Sequence, residues 1–285
     1  MKRLTFEGVR DFDPDDTFGC GQCFRWNKEE DGSYTGVAFG YPANIDYKGG
    51  DIIITTSFAA ESMWNIYLDL DRDYGEIKAL LSKDDEVMRE AIRSGEGIRI
   101  LNQDKWETLI SFIISQNNNI ARIKGCIESL CTNFGREIGE FKGKLRYDFP
   151  SIDTLAGLTA EDLGVCRLGY RAEYIVQTAK LVHRNAGTRL SVGNRLPTDE
   201  IRDYLLSLPG VGPKVADCIL LFAMRKTKVF PIDVWVGRVM SELYGFDEKD
   251  HAGIREYAGK HFYPYGGIAQ QYLFNYIRDR GAEQC

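Results

Sequence analysis

The chain has 285 residues, 44% of them hydrophobic and 27% charged, a balance that excludes a disordered protein and allows two domains sharing one core. Its net charge of −6 argues, taken whole, against a nucleic-acid partner, yet residues 1–97 hold 11 basic and 20 acidic side chains whereas residues 165–240 hold 12 basic and 6 acidic. No apolar run approaches the roughly 20 residues of a membrane span, and the opening MKRLTFEGVRDFDPDD turns acidic where a signal peptide turns apolar, so an intracellular protein is expected.

Residues 21–57 alternate polar and apolar side chains between turn signals at Asp31-Gly32, Pro42 and Gly49-Gly50, which predicts an antiparallel meander beginning at Phe24-Arg25-Trp26. From about residue 60 the apolar residues recur every three or four positions, as in AESMWNIYLDL and EIKALLSKDDEVMREAIRSG, and the pattern becomes helical. The fold class expected is therefore α+β: an N-terminal domain with an antiparallel sheet over 1–97, then an all-α body over 98–285. Asp104 and Glu107 have the spacing of a capping box before the apolar helix WETLISFIISQ. That helix runs into Gln116-Asn117-Asn118-Asn119. Asparagines are poor inside helices and common at caps, so the run predicts a corner; one cap needs only one of them, and the others offer amides suited to base edges. Helices joined by glycine turns follow over 151–195.

The seven cysteines are odd in number and scattered, as reduced thiols are. Cys20 and Cys23 form a C-x-x-C that no second pair or paired histidine answers, so no metal site is expected.

The segment 199–244 carries the chemistry. Thr198 is a candidate cap for a helix reaching about Ser207, Pro209 stops it, Gly210-Val211-Gly212 makes a tight hairpin, and Pro213 suits the first position of the next helix. Two glycines around one apolar residue let the backbone approach a phosphate, and the N–H groups of the following helix point at the anion. Lys214 lies in the first turn of that helix, where the dipole disfavours an ammonium. It can serve as a phosphate contact, or as a nucleophile whose neutral amine the same dipole favours. Asp233 precedes an apolar helix and reads as its N-cap. A carboxylate so held stays ionised and can stabilise positive charge on a sugar.

LPGVGPKVADC followed by PIDVWV resembles the hairpin and the loop with the catalytic aspartate of the helix-hairpin-helix DNA glycosylases. A lysine at 214 is similar to the bifunctional glycosylase/lyase branch, and the resemblance to the 8-oxoguanine glycosylases covers most of the chain. It implies excision of 8-oxoguanine from duplex DNA by Lys214 with Asp233, then strand nicking. Gly21-Gln22-Cys23-Phe24-Arg25-Trp26 resembles the string whose glycine carbonyl accepts the ring N–H that distinguishes 8-oxoguanine from guanine. Asn117-Asn118-Asn119-Ile120-Ala121-Arg122 implies that Asn117 and Arg122 contact the orphaned cytosine. Leu168-Gly169-Tyr170-Arg171-Ala172 implies Tyr170 as a wedge and Arg171 as a second cytosine contact. GIAQQYLF implies Gln270 and Phe274 against the flipped base, with Cys218 lining the same pocket.

The sequence departs from the pattern where animal members place a histidine two residues after the aspartate and this chain has Trp235. The four-cysteine cluster of the endonuclease III branch is reduced to Cys285, so no iron–sulfur cluster, and no other required cofactor, is expected. A structural cation at the hairpin is compatible with the motif. The partner implied is a duplex with 8-oxoguanine opposite cytosine, bound by a monomer. An alkylated-purine glycosylase on the same fold and a non-catalytic DNA-binding module are the alternatives.

Overall fold

The computed structural model describes residues 1–283. Its N-terminal sheet is antiparallel throughout, in the order β1-β5-β4-β3-β2, from β1 (Lys2–Phe6), β2 (Asn27–Lys28), β3 (Tyr34–Ala38), β4 (Tyr41–Lys48) and β5 (Asp51–Thr56). Strand β5 alternates as its sequence alternates, with Ile52, Ile54 and Thr56 buried, and Ile54 faces Ile45 of β4. Gly49 and Gly50 both have positive φ, the conformation a two-residue hairpin needs between strands of right-handed twist. Two details differ from the expected meander. Phe24, Arg25 and Trp26 lie in an irregular connection that buries all three side chains, and β1, outside the alternating run, pairs with β5.

Short α1 (Pro14–Gly19) precedes the connection, and α2 (Glu61–Tyr67) covers the sheet. Phe18, Trp26, Ile45, Ile54, Trp64 and Tyr67 form a core between them. A second core belongs to the helices: α3 (Tyr74–Ser82), α4 (Glu86–Ser94), α5 (Lys105–Ser115), α6 (Ile120–Phe134), α7 (Ile152–Ala156), α8 (Arg171–Arg184), α9 (Thr188–Ser191), α10 (Thr198–Leu206), α11 (Pro213–Met224), α12 (Val234–Tyr244), α13 (His251–His261) and α14 (Gly266–Glu283). Helices α3 and α4, which precede residue 97, contribute Tyr74, Ile77, Met88 and Ile92 to this second core. A β-hairpin of β6 (Glu137–Phe141) and β7 (Lys144–Tyr147), unforeseen in the sequence, interrupts the helical body. Among the described residues no helix is long and apolar enough to cross a membrane.

Two caps depart from expectation. Asp104 accepts the Glu107 N–H as expected, but the Glu107 carboxylate turns to the buried Arg25 at 3.2 Å, so the box is half made. Thr198 opens α10 without capping it, because Pro197 takes the capping position and has no side-chain acceptor to offer.

Candidate active site

The hairpin is shaped by close packing. Gly210 has φ of +75°, and a Cβ there would lie 2.9 Å from the Tyr174 side chain, so both conformation and space require glycine. Its carbonyl accepts from Gln116 Nε2 at 2.8 Å, and the Pro209 carbonyl from Thr178 Oγ1 at 2.8 Å. Val211 is buried in the helical core, which anchors the tip of the turn. Gly212 occupies the N-cap of α11 with no side chain to accept the first-turn N–H groups, and Pro213 follows at the first helical position. An anion seated here would meet amide donors and the positive end of the helix dipole.

Lys214, half-buried, holds its ammonium 5.1 Å from the centroid of the Phe112 ring, which stacks on Phe222 at 5.4 Å. Cys218 lies one turn further along the same face of α11. Burial pushes its thiol up to about 11, opposed by the Lys214 charge and hydrogen bond and reinforced by Asp233. At neutral pH it is therefore a neutral thiol and serves as an apolar wall. Asp233 caps α12, as expected, accepting the Val236 N–H at 2.9 Å.

These residues line one small pocket together with Gly21, Phe112, Gln270 and Phe274, from four distant parts of the chain. Gly21 has φ of +82°, and a Cβ there would approach Phe274 to 3.4 Å. The Gln270 side chain is buried, and among the described residues no donor reaches its Oε1. Such an orphaned acceptor is uncommon and suits a ligand that brings its own N–H. The cavity measures about 30 Å³, room for about one or two waters, so a purine enters only if lining side chains move. The Phe112–Phe222 pair was not singled out in the sequence, where both phenylalanines read as ordinary core positions of apolar helices.

The second group of expected residues gathers where α5 turns into α6. Asn118 bonds back to the Ile114 carbonyl at 3.1 Å and Asn119 caps α6 through the Arg122 N–H at 2.9 Å, so two of the three asparagines make the corner. Asn117 remains exposed, at φ of +46°, a conformation that asparagine tolerates better than most residues. Arg122 is exposed, its guanidinium 3.5 Å from the Arg167 carbonyl. Tyr170 projects into solvent at 55% exposure, with the Arg171 guanidinium 4.5 Å from its ring centroid. Arg171 itself is buried. It donates to the carbonyls of Gln116, of Asn117 at 2.9 Å and of Leu168 at 3.2 Å, so in this conformation it fastens the corner. Gln116 in turn donates to the Gly210 carbonyl, which joins the corner to the glycine hairpin.

Cys20 and Cys23 are buried free thiols, both held up by burial, Cys20 to about 11. Among the described residues no group of three or more metal-ligating side chains converges. Cys285 lies outside the described residues.

Residues 6–109 match the family model of the 8-oxoguanine DNA glycosylase N-terminal domain, and residues 110–264 that of the HhH-GPD superfamily base excision DNA repair proteins. An N-glycosylase/DNA lyase of Saccharomyces cerevisiae is 42% identical over 161 residues, which are 53% of this chain and 43% of that protein. One from Arabidopsis thaliana is 32% identical over 276 residues, 90% of this chain and 75% of the relative. The crystal structure of the Clostridium acetobutylicum 8-oxoguanine glycosylase/lyase, in complex with double-stranded DNA containing cytosine opposite 8-oxoguanine, is similar with a TM-score of 0.92 and 40% identity, over 98% of this chain and 96% of that chain. With the sheet domain and the hairpin-bearing body both matched, the chain belongs to the helix-hairpin-helix base excision DNA repair proteins, in their 8-oxoguanine DNA glycosylase family.

Proposed function

We propose that this protein excises 8-oxoguanine lying opposite cytosine in duplex DNA and nicks the strand at the emptied position. The observation that carries the reading is that Lys214, Asp233, Gly21 and Gln270, the last with an unpartnered Oε1 among the described residues, line one pocket.

A base stacked in a duplex is out of reach, so it is extruded at a cost of a few kcal/mol, offset by contacts in the pocket and in the gap left behind. Gly21 accepts the N7–H of 8-oxoguanine and would face a lone pair in guanine, while Gln270 Oε1 accepts an N–H of the base edge. A mismatched buried contact costs roughly 1–3 kcal/mol, so Gly21 supplies part of the discrimination. The unprotonated Lys214 amine forms a bond to C1′ as the N-glycosidic bond breaks and the base departs with a proton. Asp233 stabilises the positive charge on the sugar. Ring opening gives a Schiff base, whose α-proton is lost as the C3′–O bond breaks, releasing the 3′ phosphate. Asn117, Arg122 and Tyr170 supply the orphan-cytosine contacts and the wedge, joined by Arg171 if the corner it fastens opens on DNA. Each step uses an amine, a carboxylate and water, so no metal or cluster is required; a cation at the hairpin would be structural. The protein acts as an intracellular monomer. A non-catalytic DNA-binding module would need neither Asp233 nor Gly21, and an alkylated-purine glycosylase would not need Lys214.

Borohydride reduction of the protein with a duplex containing 8-oxoguanine should trap a covalent adduct. Lys214→Gln should bind the duplex yet lose excision and trapping together. Wild-type excision by this variant would sink the assignment.

A further inference from the structure

With Gly21 as a lesion reader, as the functional reading has it, part of the recognition depends on the direction of a single peptide carbonyl. That carbonyl sits in a run of four, Gly19 to Gln22, and each of the other three is engaged by a side chain from elsewhere in the fold. An Arg278 Nη donates to the Gly19 carbonyl at 2.9 Å, Gln271 Nε2 to that of Cys20 at 2.7 Å, and Gln103 Nε2 to that of Gln22 at 2.7 Å. Among the described residues no hydrogen bond is made to the Gly21 carbonyl.

The Gln22 side chain, fully buried, is pinned as well. Its Nε2 donates to the carbonyls of Thr17 at 2.8 Å and Arg99 at 2.7 Å, and its Oε1 accepts the Leu101 N–H at 2.8 Å. A glycine at positive φ can turn its peptide planes with little steric resistance, so an unheld run would present its carbonyls in several directions. Here the bonds on either side of Gly21 remove that freedom. Gln271 directly follows Gln270 on α14. Both glutamines line the pocket, but Gln271 donates its amide to the Cys20 carbonyl whereas Gln270 leaves its Oε1 unpartnered among the described residues.

We infer that Gln271 and Gln103 are positioning residues for lesion recognition: by holding the Cys20 and Gln22 carbonyls they leave the Gly21 carbonyl as the acceptor presented to the base. Gln103 lies outside the pocket lining, and Gln271, which is on it, spends its amide donor on the loop. Losing either donor lets the Gly21 peptide rotate and weakens the reading of the extra N–H, while the amine chemistry at Lys214 stays intact.

Gln271→Met and Gln103→Met remove the amide donor at nearly constant volume. Each is compared with the wild-type protein on a duplex with 8-oxoguanine opposite cytosine and on one with a preformed abasic site opposite cytosine, which has no base to read. Single-turnover excision of 8-oxoguanine should fall about tenfold in both variants, while for Gln103→Met, outside the pocket lining, nicking at the abasic site stays within about twofold. Equal losses on both duplexes would reduce the glutamines to packing residues, and undiminished excision would show that the loop holds its shape without them. Either result overturns the inference. If Gln271→Met does not fold, the same two rates for Gln103→Met decide. Wild-type protein inert on the 8-oxoguanine duplex would defeat the functional reading itself, and this inference with it.

Discussion

Asp233 accepts the Val236 N–H on a carboxylate oxygen at the start of α12, so substitutions there test structure and chemistry at once. Asparagine caps about as well as aspartate but carries no charge. Asp233→Asn should therefore keep its stability and lose most of its excision rate, whereas Asp233→Ala should lose both, with ~0.5–2 kcal/mol missing from denaturant unfolding. Glu107 poses the opposite case. Burial pushes its carboxyl up to about 7 even though Arg25 beside it pulls the other way. Against an ordinary value of 4.5, folding takes up a proton between those two pH values. The contribution of this group to stability is thus greatest below pH 4.5, declines as pH rises to about 7 and is flat beyond. Thermal melts across that window should lose part of this slope in Glu107→Gln. Residue by residue, the sequence was most informative where a side chain has one task, as at Asp233, and least where buried amides serve the backbone. Nothing in the spacing of Gln103 or Gln271 marks them, because a glutamine bound to a carbonyl 80 or more residues away leaves no local pattern.

The hairpin between α10 and α11 was legible because each of its constraints is local: a proline that stops one helix, glycines that turn, a proline that starts the next. The five-residue strand β1 was not, since its only claim to be a strand is a partner some fifty residues later in β5. The connection holding Phe24 and Trp26 was also misread, because buried aromatic residues look alike in a strand and in an irregular loop. At the hairpin itself, Gly210→Ala would meet Tyr174 and force alanine to positive φ, costing ~1–3 kcal/mol. The variant should melt earlier and bind undamaged duplex more weakly, as titration with a labelled duplex would register; unchanged affinity would move the phosphate contact away from this turn.

For the whole molecule, an overall charge of −6 sets a limit on how DNA can be held. On the proposed function, affinity comes from the basic stretch of 165–240 and the amides at the α11 start, working against an acidic N-terminal region. If two to four phosphates are neutralised there, affinity for undamaged duplex should drop roughly tenfold to a hundredfold between about 50 and 200 mM salt. A flat response would mean that backbone charge is not what the protein grips. The bond between Gln271 and the Cys20 carbonyl spans 251 positions of the chain and has a consequence in time. At ~5–20 residues per second, the ribosome takes on the order of 10–50 s to make the helix that clamps the loop already synthesised. The hairpin and Lys214 emerge before that clamp, so in a nascent chain the loop around Gly21 waits for the last helix to be made before Gln271 can hold it.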